Sequence, residues 1–225
     1  MRTPSRWSNA VRRCFGATAV IEDVYFFESK KNQVSLLTIS QSGGPALKVI
    51  GKLYSWGERK KEERVLRNAG EKGLAVPSVR AAWNNILFLE YVQGSTMRSL
   101  LGGGHDPCAA SEALACWVAS WHLAFRRGRR YTLLKADMRL QNFICKDTRL
   151  YGVDFEESRW GDPLDDIADM AATLLTFPWK GAPDGGAVAD RFVSACARRE
   201  EISPSGIDER VARNLEERER IKSLC

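Results

Sequence analysis

The sequence predicts an α+β fold made of two unlike halves. Up to Val92 the apolar residues fall in short runs rich in β-branched and aromatic side chains, broken by polar or glycine-rich turns. Beyond Gln93-Gly94-Ser95 they recur mostly at helical spacing, in stretches punctuated by PWKGAPDGG and SPSG. A chain of 225 residues, 44% hydrophobic and 28% charged, can bury the core such a fold needs and is not composed like a disordered one. The change of character predicts a small unit over 1–92 and a helical one over 93–225, joined at a hinge.

Each element follows from local pattern. Ala19 to Phe27 and Val34 to Ile39, separated by ESKKN, read as an antiparallel hairpin, and Ala46 to Ile50 after QSGGP as a third strand. Glu58 to Ala69 is charged, but Val65, Leu66 and Ala69 share a helical face and Gly70 and Gly73 supply the stop. Val76 to Val79 and Ile86 to Val92 return to strand character around an Asn84-Asn85 turn. Cys108 to Phe125, rich in Ala, Leu and Trp, reads as a buried helix in which Trp117, Trp121 and His122 are core. Lys135 to Glu156, KADMRLQNFICKDTRLYGVDFE, reads as loop, strand, turn and strand. Leu164 to Phe177, Ala187 to Glu201 and Ile207 to Leu224 are helices.

Composition excludes several classes. The six cysteines include no C-x-x-C pair and accompany only two histidines, so a zinc site is not expected and the thiols read as reduced, those of a cytoplasmic protein. Arg2 and Arg6 are not followed by an unbroken apolar stretch, which predicts no signal peptide, and no window has the apolar length of a transmembrane helix. A net charge of +6 and a pI near 9.1 favour anionic partners.

Chemistry concentrates in Lys135 to Glu156. Phe143-Ile144-Cys145 and Leu150 to Val153 flank the turn signal Lys146-Asp147-Thr148-Arg149. A hairpin centred near Thr148 would oppose Asn142 and Asp154, with Cβ atoms roughly 5 Å apart. One amide oxygen and one carboxylate suit magnesium, which keeps water and substrate phosphates as its other ligands. Asp137, in the loop entering the hairpin, could take a proton from a substrate hydroxyl. The spacing fits phosphoryl transfer, which needs positioning and charge neutralisation more than covalent chemistry.

Asp137-x-x-x-x-Asn142 followed by Val153-Asp154-Phe155 resembles the catalytic loop and metal motif of the protein-kinase-like superfamily. Gly161-Asp162-Pro163-Leu164-Asp165-Asp166-Ile167-Ala168 is similar to the G-D-P-x-x-D-L-A run of its small atypical members: aminoglycoside phosphotransferases, choline kinases, lipopolysaccharide sugar kinases and RIO-type kinases. The resemblance implies a two-lobed α+β fold, with a small antiparallel-sheet N-lobe carrying one helix and a mainly helical C-lobe. It implies ATP and Mg2+ as cofactors, Asn142 and Asp154 as metal ligands, Asp137 as the base, and Asp166 as a buttress of the catalytic loop. Arg139 corresponds to a lysine that touches the transferred phosphate.

Ala46-Leu47-Lys48 is similar to the V-A-I-K strand, making Lys48 the phosphate-binding lysine. It is preferred to Lys52 because an apolar strand precedes it directly. Glu62, preferred to Glu63, would pair with that lysine. Leu89-Glu90-Tyr91-Val92-x-Gly94 resembles the adenine hinge, so Glu90 and Val92 join the cofactor-binding candidates. Lys31 joins them from the Ser29-Lys30-Lys31-Asn32 turn, where a glycine loop is missing. Two further departures are Lys135-Ala136 before Asp137 and a short span between Asp154 and Asp162, too short for an activation loop.

The function implied is that of a kinase moving the γ-phosphate to an acceptor hydroxyl of a small molecule, sugar or lipopolysaccharide. The alternatives are a RIO-like protein kinase or ATPase working with a protein or tRNA-modification partner, and a nucleotide-binding pseudokinase scaffold. Arg126, Arg127, Arg129 and Arg130 fit either an anionic acceptor or RNA, or a solvated helix end whose cations complement the dipole.

Overall fold

A computed structural model describes residues 5–29, 31–41, 44–55, 58–128, 130–179 and 184–223. The chain forms two units, Met1–Gly70 with Pro77–Val92, and Glu71–Val76 with Gln93–Cys225.

The first unit holds strands β1 (Val20–Phe27), β2 (Gln33–Ser40), β3 (Leu47–Leu53), β4 (Val79–Trp83) and β5 (Ile86–Glu90) in one sheet, ordered β1-β2-β3-β5-β4 and antiparallel throughout. Helix α2 (Arg59–Glu71) buries Glu62, Val65, Leu66 and Ala69. Asn84 turns the chain between β4 and β5 with φ 50°, a left-handed conformation that asparagine tolerates. Sequence patterning did not anticipate helix α1 (Ser5–Phe15). Its signal was present: Trp7, Ala10, Val11, Cys14 and Phe15 recur at helical spacing among polar residues. Trp7, Ala10 and Val11 are fully buried and share a core with Leu37, Ile39, Val49, Ile86 and Phe88. Gly51 makes room for this seat, since a Cβ there would lie 2.5 Å from the Trp7 ring.

The second unit contains helices α3 (Met97–Gly102), α4 (Pro107–Ala124), α5 (Pro163–Leu175), α6 (Gly185–Glu200) and α7 (Ile207–Ser223). Asp106, Asp162 and Asp184 cap α4, α5 and α6, each accepting from a backbone N–H of the first turn, and proline follows the cap in α4 and α5. The G-D-P run is therefore, in the first instance, a helix start. A small sheet orders β6 (Ser95–Thr96), β8 (Phe143–Lys146) and β9 (Arg149–Gly152), while β7 (Thr132–Leu134) pairs with β10 (Arg159–Gly161). The Gln93-Gly94-Ser95 segment enters this sheet, with Gly94 so close to β8 that a Cβ would sit 2.2 Å from the Cys145 carbonyl oxygen.

Aromatic side chains hold the second unit's centre. Trp117 and Trp121 stack at 5.5 Å, Phe143 meets Trp117 edge-on, and Phe155 stacks on Trp121 at 4.8 Å. Gly152 lies under Trp117, where a Cβ would fall 2.2 Å from the indole. The described cysteines are free thiols. Among the described residues no helix is long and apolar enough to cross a membrane.

Candidate active site

The β8–β9 hairpin forms, with a register one residue from that expected. Phe143 pairs with Gly152 and Lys146 with Arg149, so the turn is centred between Asp147 and Thr148. Asp147 supplies the tight turn by adopting φ 54°. The pairing extends to Val153, whose N–H donates to the Asn142 carbonyl at 2.9 Å. Asn142 therefore opposes Val153, and Asp154 follows one position later with φ 63°, outside the pleat. Asn142 itself closes a short 3-10 turn (Leu140–Asn142) rather than standing on the strand.

Asp137 and Asn142 meet directly. The Asn142 amide Nδ2 donates to Asp137 Oδ2 at 2.9 Å, and Arg139 Nε lies 3.1 Å from Asp137 Oδ1. Both carboxylate oxygens thus have a partner, one buried and one exposed. With its nitrogen turned to Asp137, Asn142 offers an amide oxygen as a hard ligand.

Lys135 ties this loop to the Asp154 segment. Its side chain is fully buried, and Nζ donates to the Asp137 carbonyl at 2.9 Å and to the Asp154 carbonyl at 3.0 Å. The ammonium also lies 5.6 Å from the Phe143 ring centroid and 5.3 Å from that of Phe155. The departure from the kinase pattern at this position is a cross-brace.

Asp166, in the first turn of α5, accepts from Lys135 N at 2.7 Å and from Ala136 N at 2.9 Å. Ala136 has φ 64°, strained for alanine, and these bonds hold it there. Behind Asp166 stands His122, whose Nε2 is 3.1 Å from Asp166 Oδ2 and whose Nδ1 is 2.9 Å from Glu200 Oε1. All three are buried. Burial opposes a charge on the ring, but the hydrogen bonds and charges of Asp166 and Glu200 outweigh it and push the His122 pKa up to about 9. Sequence reading took His122 as a satisfied core histidine; its ring is satisfied as an imidazolium. Arg126 donates to the Glu200 carbonyl at 2.9 Å and faces its carboxylate at 3.7 Å, giving the buried pair of acids two cations.

In the first unit the lysine–glutamate pair is made by Lys52. Lys52 Nζ lies 2.8 Å from Glu62 Oε2, both side chains being buried, and the Tyr54 hydroxyl donates to the same oxygen. Lys48 is exposed and is corrected out of that pairing. The two lysines have the same parity on β3, so alternation could not separate them; what differs is their place along the strand, Lys48 opposite Thr38 and Lys52 opposite Val34. Glu63 pairs instead with Arg59 and Arg67 along the helix surface, as the preference for Glu62 requires. Glu90 turns its carboxylate to the Ser78 hydroxyl at 2.9 Å, Val92 is buried, and Lys31 is exposed with its carbonyl accepting from Ser55.

The described arginines of the basic stretch each have a partner within the chain, although Arg127 and Arg130 remain exposed. Besides Arg126, the Arg127 guanidinium lies 3.9 Å over the Trp160 ring and Arg130 sits 3.1 Å from Asp162. Arg129 lies outside the described residues. These contacts give an RNA partner no support.

No family model matches the chain. The EKC/KEOPS complex subunit BUD32 of Encephalitozoon cuniculi (strain GB-M1) is 23% identical over 99 residues, which are 44% of this chain and 46% of that protein. The match thus spans less than half of the relative's length. Among solved structures, macrolide 2'-phosphotransferase type I is similar with a TM-score of 0.67 and 14% identity, over 94% of this chain and 87% of that one. Amicoumacin kinase hAmiN, in complex with AMP-PNP, Ca2+ and Ami, gives a TM-score of 0.63 and 14% identity, over 80% and 72%. These likenesses establish the fold: an α+β, protein-kinase-like chain with an antiparallel-sheet N-lobe and a mainly helical C-lobe.

Proposed function

We propose that the protein is an ATP-dependent phosphotransferase acting on the hydroxyl of a small molecule. The observation that carries this is the Asp137–Asn142 hydrogen bond on a loop braced by Lys135 and Asp166. Asp137 would orient the acceptor hydroxyl and take its proton, with Asn142 and Arg139 fixing the carboxylate. Lys52, held by Glu62, takes the phosphate-binding role first given to Lys48, and the Glu90–Val92 backbone and Lys31 remain the adenine and phosphate candidates.

The oxygen donors of Asn142 and Asp154 fit magnesium, which would neutralise charge on the phosphates. Hard oxygen ligands supplied by only two side chains are what such an ion takes when substrate fills the rest of its shell.

The small-molecule acceptor is favoured by the coverage of the two antibiotic-directed structures, 94% and 80% of this chain. The sequence likeness to BUD32 favours a second reading, an atypical kinase or ATPase working with a protein or tRNA-modification partner. Purified protein with Mg-ATP, assayed for ADP release alone and across aminoglycosides, macrolides, choline, ethanolamine and core sugars, decides between them. Stimulation by a small alcohol in wild type, lost in Asp137→Asn and Asp154→Ala, supports the first reading. Acceptor-independent hydrolysis lost in the same variants supports the second. Equal turnover in all three proteins sinks both, and nucleotide binding without turnover indicates a scaffold.

A further inference from the structure

Met138, the residue after Asp137, is gripped at both of its peptide groups by α5. Its N–H donates to Asp169 Oδ2 at 3.0 Å, and its carbonyl accepts from the Thr173 hydroxyl at 3.1 Å. Asp169 and Thr173 are one helical turn apart and so share a face. That face is covered by α7, and a single α7 nitrogen engages both grips. Arg218 Nη2 lies 2.6 Å from Asp169 Oδ1 and 2.7 Å from Thr173 Oγ1, and it reaches the Asp169 carbonyl at 3.0 Å.

The chemistry assigns each group a direction. Arg218 can only donate, so the Thr173 oxygen accepts from it and keeps its own proton for a carbonyl, those of Met138 and Asp169 both being in reach. The guanidinium equally fixes one Asp169 oxygen and leaves the other for Met138 N. A second arginine sets the register: Arg210 pairs with Asp162 and Asp165 at the start of α5, as Arg218 does with Asp169 and Thr173 further on. Eight residues of helix separate the two arginines, about 12 Å at 1.5 Å per residue, and the same spacing separates Asp165 from Thr173. No described residue of α7 is fully buried, and Arg218 itself is only half-buried.

We propose that Arg218 is a positioning residue for Asp137, acting through Asp169 and Thr173 on the Met138 peptide. The inference rests on the phosphotransfer reading for its kinetic consequence and on geometry alone for its structural one. Asp166 fixes the loop before Asp137; Arg218 fixes it after.

The test compares Arg218→Ala with Arg218→Lys, and with Arg213→Ala on an exposed position of α7. Amide hydrogen exchange is read on a peptide spanning Ala136 to Leu140, and kcat and KM for ATP are measured with the best acceptor. Arg218→Ala should speed exchange of that peptide at least 10-fold while the thermal midpoint stays near wild type. It should lower kcat at least 10-fold with KM for ATP changed less than 3-fold, because small misplacement of a catalytic group costs rate more than binding. Arg218→Lys should restore part of both, and Arg213→Ala should match wild type. Unchanged loop exchange in Arg218→Ala overturns the proposal, as does a loss confined to KM. If wild type turns over no ATP, the phosphotransfer reading falls, and the exchange result alone decides whether Arg218 holds the loop.

Discussion

His122 should keep its proton well past neutrality, and the fold should loosen when that proton is lost. The ring is wholly buried between Asp166 and Glu200, and both nitrogens face carboxylate oxygens, an arrangement only the imidazolium satisfies. Its pKa stands at about 9 in the folded chain against an ordinary 6.5. Below pH 6.5 both folded and unfolded chains carry the proton, and the full stabilisation is present. Between pH 6.5 and about 9 the unfolded chain releases it while the folded one does not, so stability falls as pH rises. At roughly 1.4 kcal/mol per pH unit, the loss across that window amounts to about 3 kcal/mol. Urea unfolding across the window measures it, and NMR titration of the ring identifies the group, His105 being the chain's other histidine and exposed. Cys196, whose thiol is pushed up by burial and then by the Glu200 charge, adds a loss only above its ordinary 9.0. Glu200→Gln should lower the ring's pKa and flatten the dependence. A ring titrating at or below 6.5, or an unfolding free energy level across the window, would refute the buried imidazolium.

Three further outcomes are expected. Lys52→Met should weaken ATP binding at least 10-fold by isothermal calorimetry and cost several kcal/mol of stability, because it strips the ammonium from a buried Glu62, whereas Lys48→Met should leave both unchanged. Gly152→Ala should destabilise the second unit by about 1–3 kcal/mol in denaturant titration, since the new methyl collides with the Trp117 ring. Arg127→Ala should leave affinity for single-stranded RNA no weaker at physiological salt in a filter-binding assay, because that guanidinium, though exposed, is already stacked on the Trp160 ring.

The elements with strong periodicity could be read directly. The β1–β2 hairpin, α2, the buried α4 and the three last helices lie within a few residues of the segments that apolar spacing marks. Where reading failed, the deciding physics was non-local. Lys48 and Lys52 obey the same alternation, and only the path of α2 over the sheet selects the second. The hairpin register is one residue from that expected because a turn centred on Thr148 and one centred between Asp147 and Thr148 share the same polar letters. Asp137 and Asn142 were legible as members of one motif, but the pattern set Asn142 opposite Asp154, and nothing in the spacing announced the direct hydrogen bond between Asn142 and Asp137. The acids behind that loop were only half legible: a family pattern marks Asp166, but nothing local in HLAFRR or RREE says that His122 and Glu200 meet across 78 positions of chain. Short strands such as β7 and β10 carry too few residues to show a period at all.

Phe155 stacks on Trp121 and tilts against Trp117, with none of its surface exposed. Rotating that ring away would empty a cavity in the aromatic cluster, at a cost of about 3 kcal/mol or more by analogy with truncating a buried phenylalanine. The phenylalanine beside Asp154 is consequently a fixed wall and not a swinging door.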